Sequence, residues 1–124
     1  MSWQVVSKKR GKCMISLSDR NTGEKISCVQ EVKGWYVTIS NGERDVLVFV
    51  ESGKHAITCV HTGRAIQIYG GTVKSMKQML EKACEWPKLF DTYTEWLDSG
   101  KLESQIKRYR ELCRDYYEIK EGKR

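Results

Sequence analysis

The hydrophobic period of this chain changes at Gly70-Gly71. Upstream of the pair, apolar residues come in short runs with a two-residue rhythm, cut by turn-forming residues. Downstream they recur three and four apart in segments of helical length. Strands first and helices second, with no alternation, exclude the repeated βαβ architectures and select the α+β class. The spacing predicts an N-terminal antiparallel sheet of about six strands, a meander or partial barrel, followed by three C-terminal helices packed on it.

In the strand half, residues 3–6 and 13–18 read as two strands joined by the basic, glycine-containing loop Ser7-Lys8-Lys9-Arg10-Gly11-Lys12. Residues 25–32 read as a third strand, Lys33-Gly34 as a tight turn, and the alternating run 35–40 as the next strand. Asn41-Gly42 then signals a type I′ hairpin turn, which needs positive φ at both central residues. Asp45 to Val50 is apolar on both faces, so it belongs at the centre of the sheet, under the helices. A last hairpin spans His55 to Tyr69, around Thr62-Gly63.

In the helical half, Thr72 is a suitable N-cap for a first helix striped by Val73, Met76, Met79, Leu80, Ala83 and Cys84. Trp86-Pro87 interrupts that helix and opens a second, since proline breaks a helix interior but suits a first turn. Asp98-Ser99-Gly100 closes the second helix. A third runs from about Lys101 to Lys120, with Leu102, Ile106, Tyr109, Cys113 and Tyr116 along one face. The chain reads as a single domain over residues 1–124: a strand-rich half (1–71), a helical half (72–120) and a frayed tail at 121–124.

Composition narrows the class further. Hydrophobic residues make up 40% and charged residues 31%, ordinary proportions for a globular protein, and no apolar run has membrane-spanning length. The N-terminus carries Ser7-Lys8-Lys9-Arg10 directly after Val5-Val6, which does not fit a secretion signal. The five cysteines are odd in number and none stands at CxxC spacing. They read as reduced thiols of a cytoplasmic protein, with no metal and no cofactor expected. Formal net charge is +6, with ten Lys/Arg against six Asp/Glu in residues 1–71 and twelve against ten in 72–124. That excess allows attraction to nucleic acid without the polybasic tail that would announce it.

Four groups of residues carry candidate chemistry. Lys8, Lys9, Arg10 and Lys12 are the densest positive charge and could clamp phosphates from their loop, or simply solubilise it. Lys107, Arg110 and Arg114 fall within about 60° of each other on the third helix, although Glu103, Glu111 and Glu118, each four residues from one of these cations, also suit a salt-bridged face. Trp86, Phe90, Tyr93 and Trp96 are more large rings than a short helix needs for its own packing. Any exposed surplus would anchor a protein partner, with Asp91, Glu95 and Asp98 as a negative rim. Cys59 and His61 would share a strand face, but i and i+2 side chains stand nearly 7 Å apart, too far for a thiolate–imidazole pair. Phosphate-loop, nucleophile-elbow and zinc-hydrolase motifs are absent.

The expected function is therefore that of a non-enzymatic cytoplasmic binding module. It would associate with nucleic acid or a nucleoprotein complex through Lys8, Lys9, Arg10 and Lys12, aided by Lys107, Arg110 and Arg114. A protein-binding accessory or inhibitor acting through the aromatic helix is the alternative, and a small Cys/His enzyme or metal site is the outlying one. Oligomeric state stays open, because an edge strand or the aromatic helix could each pair two copies.

Overall fold

Five strands, each paired antiparallel with its neighbour in sequence, form a meander in the computed structural model, which describes residues 2–122. They are β1 (Gln4–Leu17), β2 (Cys28–Ser40), β3 (Asp45–Glu51), β4 (Ala56–Cys59) and β5 (Ala65–Ile68). A short 3-10 turn at Gly70–Thr72 leads to helices α1 (Met76–Glu85), α2 (Pro87–Ser99) and α3 (Glu103–Lys120). The class is α+β, with strands and helices in the order the periodicity predicts.

The strand count falls to five because two predicted turns are not turns. The basic loop at 7–12 is the middle of β1, and Lys33-Gly34 is the middle of β2. The two stretches pair with each other, Gly11 opposite Gly34 and Lys12 opposite Lys33. Both glycines serve close approach. A side chain on Gly34 would stand 2.1 Å from the Val50 carbonyl oxygen, and one on Gly11 would press into the Tyr36 ring at 2.9 Å. Tyr36 covers the bare Gly11 and donates its hydroxyl hydrogen to the Lys12 carbonyl at 2.6 Å. The result is one long, coiled ribbon of two strands where four short strands were expected.

Other local details also differ. In the β2–β3 connection only Gly42 takes a positive φ. The Asn41 side-chain oxygen accepts from the amides of Glu43 and Arg44 (2.9 and 2.8 Å), so the turn is not type I′. The N-cap of α1 is Ser75, not Thr72: the Ser75 hydroxyl accepts from the Gln78 amide at 3.1 Å. Gln78 reaches back to the Lys74 amide at 2.7 Å, giving the cap a reciprocal partner that Thr72 lacks. Thr72 instead donates to the Tyr69 carbonyl and closes the 3-10 turn. Of the expected frayed tail, Glu121 caps α3, while Lys123 and Arg124 lie outside the described residues.

The main core lies between one face of the sheet and α1 with α2. Val37, Ile39, Val46, Val48 and Ile57 meet Met79, Leu80, Ala83 and Phe90, all essentially sealed from solvent. β3 is the central strand and buries both faces over Val48-Phe49-Val50, as its apolar run predicts. Trp3 ties the start of the chain to α2: its indole N–H donates to Asp91 at 2.9 Å and its ring packs on Phe90. A smaller core holds α3 against the far end of the ribbon, where Tyr109, Cys113 and Tyr116 meet Met14, Ile26 and Val29. There the Ser16 amide donates to the Gly63 carbonyl at 2.9 Å, curling the end of β1 onto the β4–β5 turn.

Candidate nucleic-acid interface

The ribbon register sorts the basic cluster by face. Lys8, Arg10 and Lys12 alternate along β1 and lie opposite Val37, Trp35 and Lys33 respectively. Residues paired across an antiparallel ladder share a face, so Lys8, Arg10, Lys12 and Lys33 form one cationic row and Lys9 points to the other side. The Arg10 guanidinium sits 4.9 Å from the centroid of the Trp35 ring, a cation–π contact that holds it flat against the strand. Lys12 and Lys33, both exposed, face each other directly. Like charges across a ladder are unfavourable on their own, so an anion placed between Lys12 and Lys33 would relieve their repulsion.

β1 is an edge strand, and lysine on an edge also discourages pairing with other chains. Edge protection accounts for cations on β1. It does not account for Lys33, which sits on the inner strand β2 and completes the row. At the other end of the row, Lys8 shares a cavity of about 650 Å³ with Lys77, Glu81 and Glu85, where the charges balance. The uncompensated part of the row is therefore Arg10, Lys12 and Lys33.

The predicted α3 stripe is brought to a different place. Lys107, Arg110 and Arg114 line a shallow outer groove of α3 with Glu103 and Glu111, and Arg114 lies 3.7 Å from Asp115. This mixed lining neutralises the stripe, and the groove shares no lining residue with the cavity beside Lys8.

The aromatic helix divides. Phe90 is fully buried and Tyr93 nearly so, both inside the main core. Burial beside the Cys59 thiol pushes the Tyr93 phenol well above its usual range, and its hydroxyl donates to Cys59 Sγ at 3.0 Å. Trp86 and Trp96 stay about half exposed, at 51% and 45%, and line a cavity of about 500 Å³ on the β4–β5 side of α2. The expected negative rim does not face that cavity. Asp91 is bonded to Trp3, Asp98 is paired with Arg44, and no acid lies among the described residues lining it. Lys25, Arg64 and Lys88 line it instead, and the Lys101 ammonium sits 5.6 Å from the Trp96 ring centroid.

Cys59 is buried at the end of β4 under Tyr93, whereas His61 lies exposed in the following turn, so the two do not share a strand face as expected. Among the described residues no three His, Cys, Asp or Glu side chains gather as a metal site would need, and no helix is long and apolar enough to cross a membrane.

Lys33, Lys25, Arg64, Lys88 and Lys101 are the candidate residues that sequence reading missed. Lys33 was within reach: extending the two-residue rhythm of residues 28–40 through Gly34 puts it opposite Lys12. The others come from four separate stretches and are assembled only by the tertiary fold. Comparison with known proteins finds no matching family model, no similar curated protein and no similar solved structure.

Proposed function

We propose that this protein is a non-enzymatic module that binds nucleic acid through the cationic row on the β1–β2 ribbon. The observation that carries the reading is the exposed Lys12–Lys33 pair, flanked by Arg10 on Trp35, with no acid across the ladder from any of them. Lys8, Arg10 and Lys12, spaced two residues apart on β1, with Lys33 beside Lys12 on β2, present a line of charge to a phosphate backbone, which positions a strand without reading its sequence. The compartment is proposed to be the cytoplasm, in keeping with five free thiols.

The test is fluorescence anisotropy of a labelled single-stranded oligonucleotide across a salt series, with wild type and Lys12→Ala/Lys33→Ala. Each phosphate contact on a single strand contributes about 0.7 to the slope of log affinity against log salt. The double variant is expected to lose about 1.4 of that slope while keeping its thermal midpoint, because both side chains are exposed. An unchanged slope in the variant, or no binding of wild type at about 50 mM salt, overturns the reading.

A further inference from the structure

We infer that the groove bounded by Trp86 and Trp96 is a second contact site for the same ligand, one that takes unpaired bases of a single strand. The inference rests on the nucleic-acid reading above and adds what that ligand must be: single-stranded, with bases free to stack.

Three observations carry it. The first is the pairing of aromatic and cationic groups. Two half-exposed indoles share a groove with Lys25, Arg64 and Lys88, and no described acid lines it. Indole faces beside unopposed cations are how strands are held without sequence preference, base on ring and phosphate on ammonium. A partner protein docking on tryptophan alone would not need that one-signed lining. The second observation is shape. Trp86, the N-cap residue of α2, and Trp96, near the C-terminal end of that helix, line the same groove ten residues apart, about 15 Å along the axis, so the site is a trough and not a slot for one ring. Its volume of about 500 Å³ is within the range of ligand sites. The third is continuity. At the α1–α2 corner, Glu85 and Pro87 line the cavity that Lys8 enters, while Trp86 and Lys88 line the groove. One flexible strand leaving the row at Lys8 can thus pass around the corner into the trough, across a cavity where Lys8 and Lys77 offset Glu81 and Glu85.

The groove is also held ready. Arg64 is fixed by its Nη1 donating to Gln105 Oε1 at 2.9 Å, and Trp86 is set by the rigid Pro87 start of α2. A base entering the trough meets side chains already in place.

The experiment compares three labelled probes of equal length: a ten-nucleotide oligothymidylate, the same backbone without bases, and a polyglutamate peptide. Wild type is expected to prefer the thymidylate over the abasic strand by between about 5- and 150-fold, the range a stacking platform supplies. Trp96→Ala is expected to abolish that preference and Trp96→Phe to restore most of it, since phenylalanine keeps a π-face. Lys88→Ala should weaken both nucleic-acid probes together and leave their ratio intact. Equal binding of the abasic strand, an unaffected Trp96→Ala variant, or equally tight binding of polyglutamate overturns the inference. Salt-dependent binding with no base preference removes this inference while leaving the cationic-row reading standing. Absence of all nucleic-acid binding removes both.

Discussion

At the scale of single residues, the glycines decide the geometry of the sheet and were the hardest to read. Glycine serves tight turns and close backbone approach equally well, and a sequence does not say which is in force. Lys33-Gly34 looked like a turn because it follows one strand-like run and precedes another. In the structure Gly34 instead lets β2 run against the Val50 carbonyl. Gly63 does both at once. It has φ +68°, and a Cβ there would stand 2.7 Å from both the Ser16 amide and the Tyr109 ring. Gly63→Ala is expected to destabilise the fold by on the order of 2–4 kcal/mol, combining left-handed strain with a clash against rigid backbone. Urea denaturation checks this; a loss under about 0.5 kcal/mol, the range of a neutral surface change, would show that the β1 end is not locked to the β4–β5 turn.

At the scale of elements, helix existence and the central strand were legible, because long periodic stripes and a doubly apolar run each have one good solution. The division of α2 was not. Phe90, Tyr93 and Asp91 turn inward or bond to Trp3, while Trp86 and Trp96 turn outward. That split depends on how the helix is rotated by its contact with the sheet, which periodicity leaves open among so many rings. The docking of α3 has a consequence for pH. Cys13 of β1, Tyr36 of β2, and Tyr109 and Cys113 of α3 gather between the ribbon and that helix. Burial is the main cause raising each of these groups above its ordinary value, which is 9.0 for the thiols and 10.0 for the phenols. A raised acid stays protonated in the folded state while the unfolded chain ionises. Stability is therefore unaffected by this cluster below pH 9, falls as pH rises past about 9, and goes on falling through the folded values. Thermal midpoints taken under reducing conditions from pH 7 to 10.5 are expected to be flat and then drop. Replacing Cys13 and Cys113 by Ala should make the drop shallower; an identical drop would place its cause elsewhere.

At the scale of the whole molecule, the Gly70-Gly71 boundary separates strands from helices but does not separate the two proposed contact surfaces. The sequence points to nucleic acid at the basic strand half, aided by Lys107, Arg110 and Arg114, and to a protein partner at the aromatic helix, whose patch would carry a negative rim of Asp91, Glu95 and Asp98. Folding reassigns the charges. Two of the acids of α2, Asp91 and Asp98, are taken up by Trp3 and Arg44, Lys25 and Arg64 cross from the strand half to the Trp86–Trp96 groove, and the outer groove of α3 sets Glu103 and Glu111 beside its cations. What remains is a cationic row on the ribbon and a cationic aromatic trough that approach each other at the α1–α2 corner. The most direct measurement is amide and indole chemical-shift mapping by NMR while a short single-stranded oligonucleotide is titrated in at about 50 mM salt, where phosphate contacts are weakly screened. The expected result is a saturable set of shifts over residues 8–12 and 33–35 together with the indole N–H signals of Trp86 and Trp96. Shifts confined to the outer face of α3 around Lys107, Arg110 and Arg114, or no saturable shift at all, would contradict it.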